Sequence, residues 1–475
     1  MNFVIYDIVL LTAFVIFVSI FLYRRKKNLK REGFLLLYKT SRGIKAINRI
    51  GEKYKKLLNV LSYVSITLGF FLMAGILYLF GRIVWIYVFH SEIVRLVKIP
   101  PIMPLLPYLP QVFQLNFLPP FYFIYWIIII AIVAISHEFS HGIFAVNKKV
   151  KIKSTGFGFF PFFLPIFLAA FVELDEKKMQ KKKISEQMAI LSAGTFANTL
   201  IAILFFAVLL LFFLVAFTPS GVVFDSYTYS VVGISAITSV NGINVNNVSY
   251  SQLLNIANSS ALTDIKTKDA EYFATENFLT SQTNNQGYIY LYDNAPAIKA
   301  NLPNTIIKIN GVNVDSREQL GNELQKYSPG NKITITALYG DSYRDYEITL
   351  GQNPNNKSSS YLGIGFLNRE STGVFNKVMS WFTSFKDPNV YYKSNFDAAE
   401  FIYNLLWWLV VISFSVALVN MLPVGIFDGG RFFYLTILAI TKSKEKAEKA
   451  FKFMTGLFLF LLLVLMVFWA IGLFK

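Results

Sequence analysis

The chain has 475 residues, of which 54% are hydrophobic, 17% aromatic and only 15% charged, and its net charge is +17. This composition excludes a fully soluble globular protein and indicates an integral membrane protein with room for one soluble domain. The absence of cysteine excludes disulfides and thiolate ligands for a metal. Because the basic residues cluster beside apolar segments, the charge is typical of cytoplasmic membrane loops and does not indicate a nucleic-acid partner.

Two membrane-spanning helices are predicted in the N-terminal region, at Phe3–Tyr23 and Leu57–Phe89. The residues between them, 24–56, are polar and basic, and we expect them in the cytoplasm. The later segment Pro100–Pro120 is apolar but contains seven prolines, so no helix is expected there. It is either a re-entrant segment packed on protein or a hydrophobic external loop.

The third predicted span, Phe121–Val146, carries His137, Glu138 and His141 in the pattern His-Glu-x-x-His. Residues four apart share one face of a helix, so both imidazoles can reach one metal ion, and Glu138 can accept a proton from the attacking water. A single buried histidine is usually a hydrogen-bonded core residue. A cluster of polar groups in hydrocarbon is costly and needs a partner, which favours metal binding. The lysines at 148–153 place this end of the span near the cytoplasm.

The segment Ser154–Leu174 is rich in aromatic residues and glycine, which favours short membrane-associated strands over a spanning helix. A strand edge beside a metal site can pair with an extended substrate by β-augmentation. Gly156, Phe157 and Gly158 are the candidates for that pairing. The alternative is a packing loop that only covers the site.

The fourth predicted span, Met188–Phe217, begins with small residues and contains Asn198. Small residues let helices approach closely, so helix packing alone explains them. It explains Asn198 less well, because an asparagine inside the membrane needs a hydrogen-bonding partner.

Residues 218–370 differ abruptly, being rich in Asn, Ser, Thr, Gly and Tyr with alternating β patterns. By the count of spans, this soluble region is extracytoplasmic. It contains a repeat, since Ile237–Val245 returns as Ile306–Val314, and each copy predicts a strand, an Asn-Gly turn and a second strand.

The C-terminal part begins with an aromatic, amphipathic segment, Met379–Phe396, which suits a membrane interface. The fifth span, Ala398–Leu422, returns inward and is followed by Asp428 among glycines. Lys442–Lys452 is basic and is expected in the cytoplasm, and Phe453–Phe474 is the sixth span.

The predicted fold is therefore a polytopic α-helical membrane protein with about six transmembrane helices, membrane-associated strands and an extracytoplasmic α+β domain. Its predicted regions are 1–120, with two spans, the basic loop and the Pro-rich loop; 121–217, with the His-Glu helix, the strands and the fourth span; 218–370, the extracytoplasmic region; 371–440, with the interfacial segment and the fifth span; and 441–475, with a basic loop and the sixth span.

A catalytic zinc site takes three protein ligands and one water. With cysteine absent, the ligand that joins His137 and His141 must be a carboxylate or the remaining histidine, His90. His90 follows the second span on the outer side, whereas Asp428 lies at the depth of the histidine pair. Asp428 can also be a turn residue that caps the next helix, and both roles can hold at once.

Three motifs resemble the signatures of the site-2 protease family, which are intramembrane zinc metalloproteases: HEFSH in a spanning helix, Gly194-x-x-x-Asn198 in the next, and Asn420-x-x-Pro423 leading to Asp428-Gly429. The resemblance covers the third, fourth and fifth spans and the insert between the last two. It implies that His137, His141 and Asp428 bind zinc and that Glu138 is the general base. It also implies that Asn198 and Asn420 line the site and hold the substrate or the intermediate.

The insert is similar to PDZ domains, and its second copy, residues 295–366, matches better than the first. The resemblance makes the stretch Leu362, Gly363 and Ile364 the candidate loop for binding peptide C-termini. A plain strand is the alternative for these residues. Whether residues 218–294 form a complete second PDZ unit is left open.

The expected function is an endopeptidase of the cell membrane that cleaves transmembrane segments of membrane proteins. Its expected partners are such substrates, the lipid bilayer and, at the PDZ-like region, peptide C-termini. One alternative is a non-catalytic scaffold stabilised by zinc that recruits partners through the PDZ-like region. Another is a metal transporter, which is disfavoured because the internal repeat lies in the soluble region and not in the membrane helices.

Overall fold

The computed structural model of the protein describes residues 3–26, 29–32, 35–90, 94, 100–115, 117–159, 168–257, 262–282, 287–367, 380, 382 and 384–473. Two compact units are present. Unit 1 comprises Met1–Phe212 and Glu400–Lys475, and unit 2 comprises Phe213–Ala399.

The main α-helices are, in chain order, α1 (Phe3–Arg24), α2 (Ile44–Lys53), α3 (Lys55–Phe89), α4 (Leu109–Val112), α5 (Phe123–Asn147), α6 (Glu176–Gln180), α7 (Ile184–Ala216), α8 (Tyr250–Ile256), α9 (Glu276–Thr280), α10 (Pro296–Lys299), α11 (Arg317–Leu324), α12 (Ala399–Val419), α13 (Asp428–Thr441) and α14 (Lys444–Leu473). The strands are β1 (Leu29–Glu32), β2 (Leu35–Thr40), β3 (Ile152–Phe159), β4 (Leu168–Leu174), β5 (Phe217–Val223), β6 (Ser226–Tyr227), β7 (Tyr229–Gly233), β8 (Ile237–Val240), β9 (Ile243–Asn244), β10 (Thr263–Thr267), β11 (Glu271–Ala274), β12 (Tyr288–Asp293), β13 (Thr305–Ile309), β14 (Val312–Asn313), β15 (Lys332–Tyr339), β16 (Ser342–Thr349), β17 (Gly351–Asn353), β18 (Asn356–Tyr361), β19 (Ile364–Gly365) and β20 (Val390–Ser394).

Six helices within the described residues are long and apolar enough to cross a membrane, namely α1, α3, α5, α7, α12 and α14. The prediction of a polytopic membrane protein with about six spans is confirmed. The last span differs from the prediction, because α14 begins at Lys444 and includes most of the basic segment that the sequence predicts as a loop. Lysine, glutamate and alanine are good helix formers, and Lys449 pairs with Glu445 one turn earlier, at 2.7 Å.

A four-stranded sheet in unit 1 has the order β1-β2-β3-β4. The strand prediction for Ser154–Leu174 agrees with β3 and β4, while residues 160–167 of that segment lie outside the described part of the chain. Composition predicts a polar loop at residues 24–56, but the structure shows that they form β1, β2 and α2. Strand β2 pairs antiparallel with β3 from Leu36 opposite Phe159 to Thr40 opposite Thr155.

Helix α2 packs against the C-terminal half of α5. Ile47 is fully buried there, and a side chain added at Gly142 of α5 would approach Ile47 to 3.0 Å. A Cβ at Gly51 would lie even closer to the side chain of Val146, at 2.8 Å. Small residues on both helices thus allow a contact closer than larger side chains permit, as membrane helices commonly do.

Unit 2 contains the predicted repeat in an arrangement that the sequence does not indicate. The inner module, residues 229–293, forms one sheet with the order β7-β12-β11-β10-β8-β9 and its own apolar core. The outer module, residues 217–227, 296–365 and 390–394, forms a second core around the sheet β16-β15-β13-β5-β20. The first copy of the repeat is therefore inserted into the second, whereas the order of the copies in the sequence is compatible with a tandem arrangement.

The candidate peptide-binding stretch lies inside the outer module. Leu362 is buried in its core, and its carbonyl oxygen accepts a hydrogen bond from the Ala297 N–H at 2.9 Å. The Gly363 carbonyl accepts from the Thr228 N–H at 3.0 Å, and Ile364 pairs with Tyr227 in the two-stranded β6–β19 ladder. The structure thus shows a turn and a short strand here, and a role in binding peptide C-termini stays a prediction.

Candidate metal centre

The His-Glu motif lies in the last three turns of α5, as predicted. His137 and His141 are both buried, at 7% and 8% exposure, and their side chains project from the same face of the helix. The third histidine, His90, lies at the C-terminal end of α3 against the ring of Trp85. It does not belong to the group that could hold a metal ion among the described residues, which consists of His137, His141 and Asp428.

The three candidate ligand atoms form a nearly equilateral triangle. Nε2 of His137 lies 3.0 Å from Nε2 of His141, and each nitrogen lies 3.2 Å from Oδ2 of Asp428. Tetrahedral zinc, with bonds of about 2.0–2.1 Å, separates its ligand atoms by roughly 3.3 Å. Two imidazoles and a carboxylate also form a donor set that zinc uses in catalytic sites, so the residues present fit the ion.

Further hydrogen bonds set the orientation of both rings. Nδ1–H of His141 donates to the Ile190 carbonyl of α7 at 2.7 Å, which leaves Nε2 as an unprotonated lone pair. The side-chain amide nitrogen Nδ2 of Asn198, fully buried on α7, lies 3.0 Å from Nδ1 of His137, to which it can donate. Rotation of the amide by 180° would bring its oxygen to the same place, where it accepts Nδ1–H and leaves Nε2 free for a metal. The structure thus gives Asn198 the partner that its place in the membrane requires.

Gly194 allows α7 to approach the two rings. A Cβ at this position would lie 2.5 Å from Nε2 of His141 and 2.5 Å from Cε1 of His137. These distances are too short for any side chain to fit. Asn198 follows one turn later on the same face of α7. The spacing Gly194-x-x-x-Asn198 therefore combines a close approach with a hydrogen bond to the ring that is approached.

A tight turn after α12 delivers the third candidate ligand. Asp428 is the first residue of α13, and its carboxylate contacts both histidines, so its side chain lies where a ligand role requires it and does not cap the helix. A Cβ at Gly429 would lie 2.3 Å from the Met421 backbone, and one at Gly430 would lie 2.4 Å from the Val424 carbonyl oxygen. Both glycines are needed because the chain doubles back on itself here.

Asn420 supports this turn through its backbone, since its carbonyl oxygen accepts from the Gly429 N–H at 2.7 Å. That bond fixes the residue directly after Asp428. The role predicted for its side chain, in lining the site and holding substrate, stays a prediction.

Glu138 faces the edge of the sheet. Its Oε2 accepts a hydrogen bond at 2.9 Å from the backbone N–H of Val172 in β4. Sequence reasoning misses this contact, as it misses the Ile190 carbonyl, because backbone groups carry no signal in the residue pattern.

The prediction that Gly156, Phe157 and Gly158 pair with a substrate is wrong, because both edges of their strand are already paired. Strand β3 lies between β2 and β4, with Phe157 opposite Tyr38 on one side and Ala170 on the other. Gly156 and Gly158 instead permit close packing, since a Cβ at Gly156 would lie 2.8 Å from the ring of Phe171. Among the described residues, β4 is the outer strand on this side of the sheet.

A family model for peptidase family M50 matches residues 125–465, which include the three candidate metal ligands and Glu138. The chain belongs to peptidase family M50. This is the site-2 protease family, so the resemblance seen in the three motifs is confirmed.

Two curated proteins are similar to part of this M50 chain. The uncharacterized protein MJ0971 of Methanocaldococcus jannaschii is 32% identical over 202 residues, which cover 41% of this chain and 48% of the relative. The zinc metalloprotease RasP of Shouchella clausii is 27% identical over 207 residues, covering 37% of this chain and 49% of the relative. The chain thus spans about half the length of the curated relatives it matches. Together, the family and the six apolar helices make it a multi-pass membrane protein of a metalloprotease family.

Proposed function

We propose that the protein is a zinc-dependent intramembrane endopeptidase that cleaves transmembrane segments of membrane proteins. The observation that carries the proposal is the triangle of His137, His141 and Asp428, with ligand atoms 3.0–3.2 Å apart and Glu138 one residue along the same helix. A structural zinc site takes four protein ligands, whereas these residues supply three and leave a position for water.

The residues have distinct roles in peptide hydrolysis. The two histidines and Asp428 hold the ion, which when bound supplies Lewis-acid activation of water and of the scissile carbonyl. Glu138 accepts a proton as the water oxygen bonds to the carbonyl carbon, and it passes that proton to the amide nitrogen as the C–N bond breaks. Asn198 keeps the His137 ring oriented and is buried, so it acts through that ring.

A transmembrane substrate must leave its helical form first, because a helix engages its carbonyl groups in its own hydrogen bonds. The outer edge of β4 offers replacement backbone partners beside Glu138. Backbone groups alternate in direction along an antiparallel strand, so Leu168 and Ala170 direct theirs to the same side as Val172. We therefore assign pairing with an extended substrate, by β-augmentation, to β4. The pairing would begin at Ala170, two residues before the Val172 that contacts the catalytic base.

The distribution of basic residues supports a site near the cytoplasmic face and an extracytoplasmic unit 2. In this arrangement unit 2 would contact the external part of a substrate or bind its C-terminus. The lipid bilayer is a further partner, because α1, α3 and α14 expose many large apolar side chains.

Replacing Glu138 with Gln tests the proposal. Cleavage of a membrane substrate by the purified protein should fall on the order of 100- to 10,000-fold, the usual contribution of a general base, while bound zinc is retained. His137→Ala should instead lose both zinc and activity. Glu445→Gln, on an exposed turn of α14, is the control and should cleave normally. Undiminished cleavage by the Glu138→Gln protein would refute the assignment, and a wild-type protein that binds membrane partners without cleaving them would favour the scaffold.

A further inference from the structure

The backbone N–H of Val172 donates a hydrogen bond to the Glu138 carboxylate, and the amide nitrogen lies 2.9 Å from Oε2. Glu138 lies on α5 and Val172 on β4, 34 residues later in the chain. A hydrogen bond from a neutral donor to a carboxylate is stronger than one between neutral groups, because the acceptor is charged. It occupies one oxygen of the carboxylate and leaves the other for a proton.

Strand β4 is held firmly enough to act as a support. It pairs with β3 over its whole described length, from Phe159 opposite Leu168 to Ile152 opposite Leu174. Next to Val172, the carboxylate of Glu173 accepts from the Lys39 ammonium at 2.9 Å and from the Ser154 hydroxyl at 2.5 Å. These bonds connect β2, β3 and β4 at the height of Val172.

Helix and strand are also in direct contact beside the hydrogen bond. A Cβ at Gly142, one turn after Glu138, would lie 3.3 Å from the Val172 side chain. The glycine therefore brings β4 close enough to α5 for a backbone group to reach the Glu138 carboxylate. A larger residue at 142 would separate the two elements.

We propose that the Val172 N–H is the positioning group of the general base, and that the outer edge of β4 is divided between two tasks. Val172 orients Glu138, while the backbone groups of Ala170 and Leu168 are left to pair with the substrate. The inference rests on the proposed function, since it assigns Glu138 the role of base. Because the donor belongs to the backbone, substitution of the Val172 side chain alone would not reveal it.

Replacing single amides by esters tests this division. An α-hydroxy acid with the valine side chain at position 172 removes only the N–H, and the matched ester at position 170 removes the neighbouring outward N–H. We expect the ester at 172 to lower kcat about 10- to 100-fold, the value of a hydrogen bond to a charged group, with KM and zinc content unchanged. The ester at 170 should raise KM and leave kcat largely intact. An unchanged kcat for the ester at 172 would overturn the proposal.

Hydrogen exchange of the metal-free protein gives a readout that does not depend on activity. Glu138→Ala removes the acceptor, so exchange at the Val172 amide should accelerate at least about tenfold while Ala170 is unaffected. Glu138→Gln retains an acceptor oxygen and should keep most of the protection. Equal exchange at Val172 in the wild-type and Glu138→Ala proteins would contradict the contact. If Glu138→Gln cleaves normally, the proposed function fails. If it does not cleave but the ester at 172 is fully active, only the positioning role fails.

Discussion

The candidate metal centre in unit 1 and the two Asn-Gly hairpins in unit 2, β8–β9 and β13–β14, are built from opposite kinds of contact. Asp428 and His137 meet across 291 residues, and Val172 reaches Glu138 across 34. In unit 2, each Asn-Gly turn connects strands that are adjacent in the chain. Polar groups in the membrane must find protein partners wherever the fold offers them, whereas those of unit 2 can use water or their neighbours.

The two hairpins show that the same short sequence forms the same structure twice. Asn241 and Asn310 both adopt left-handed conformations, with φ of 49° and 47°. Each amide oxygen accepts a hydrogen bond from the strand that follows its helix, from Asp264 N–H at 3.0 Å and Thr334 N–H at 2.8 Å. The same contact thus recurs in both modules although one module is inserted into the other.

Helix capping shows the same contrast. The N-terminus of α5 has no cap from its own residues; instead Asp7 of α1, itself only 2% exposed, accepts from Phe123 N–H at 2.7 Å and Ile124 N–H at 3.0 Å. In unit 2, Ser316 caps α11 locally by accepting from the Gln319 N–H at 3.2 Å. Helix α5, which carries the His-Glu motif, therefore depends on a residue 116 positions away.

Replacing Gly194 with Ala should produce the largest effect, because it attacks the long-range site at its closest approach. The new Cβ would lie 2.5 Å from the imidazoles, so the rings must move and the ligand triangle opens. We expect cleavage to fall on the order of 100-fold or more and zinc content to fall with it. Gly81→Ala, in α3 with no described atom within 4 Å of the added Cβ, is the matched control and should retain both. Full zinc binding by the Gly194→Ala protein would contradict the packing argument.

Replacing Asp7 with Ala should destabilise unit 1 by about 2–4 kcal/mol, because it leaves the buried Phe123 N–H, the partly buried Ile124 N–H and the Tyr108 hydroxyl without their acceptor. Ser316→Ala, the loss of a local cap, should cost only about 1 kcal/mol. Thermal unfolding in detergent measures both, and Asp7→Asn should recover part of the loss. If the two alanine variants lose equal stability, the contrast between distant and local capping disappears.

A smaller effect is expected in the hairpins. Gly311 has φ of +82°, and Gly242 has φ of +78°, so alanine at either position costs about 1–2 kcal/mol. Gly321→Ala in α11 has no described atom within 4 Å and should have the opposite sign, stabilising by about 0.5–1 kcal/mol. Denaturant unfolding of unit 2 in the full chain, followed by hydrogen exchange, distinguishes the modules. A destabilised Gly321→Ala protein would show that the added side chain, and not the sign of φ, sets the cost.

Much of the architecture follows from residue patterns, for physical reasons that also explain what does not. Apolar length identifies the spans, the i, i+4 spacing places His137 and His141 on one face, and membrane depth selects Asp428. The strands at residues 29–40 are not visible in this way, because β1 continues a basic segment that resembles a loop, the apolar run Leu35–Tyr38 of β2 is short, and β2 pairs with β3 more than a hundred residues away. The wrong choice of β3 as the substrate strand has the same origin, since its occupied edge depends on β2.

The smallest predicted effect concerns the pH dependence of the sheet beside the site. The Ser154 hydroxyl and the Lys39 ammonium lower the pKa of Glu173 below its ordinary value of 4.5. A carboxyl whose pKa is lower in the folded protein stabilises the fold above the unfolded-state pKa and loses that contribution as the pH falls through the folded-state pKa. Glu173→Gln should therefore destabilise the protein near neutral pH, and this effect should disappear as the pH falls through the lowered pKa of Glu173.

The size of this effect is limited because the Glu173 side chain is 34% exposed and solvent screens the pair, so we expect less than about 1 kcal/mol at neutral pH. Unfolding of wild-type and Glu173→Gln proteins across pH 3–7 measures it, and Lys39→Met should reduce the same increment. A stability difference that grows as the pH falls would reverse the predicted sign. Because Glu173 adjoins Val172, loss of this pair should also increase hydrogen exchange at Val172 more than at Ala170. Such an increase would connect the Lys39–Glu173 pair to the orientation of Glu138.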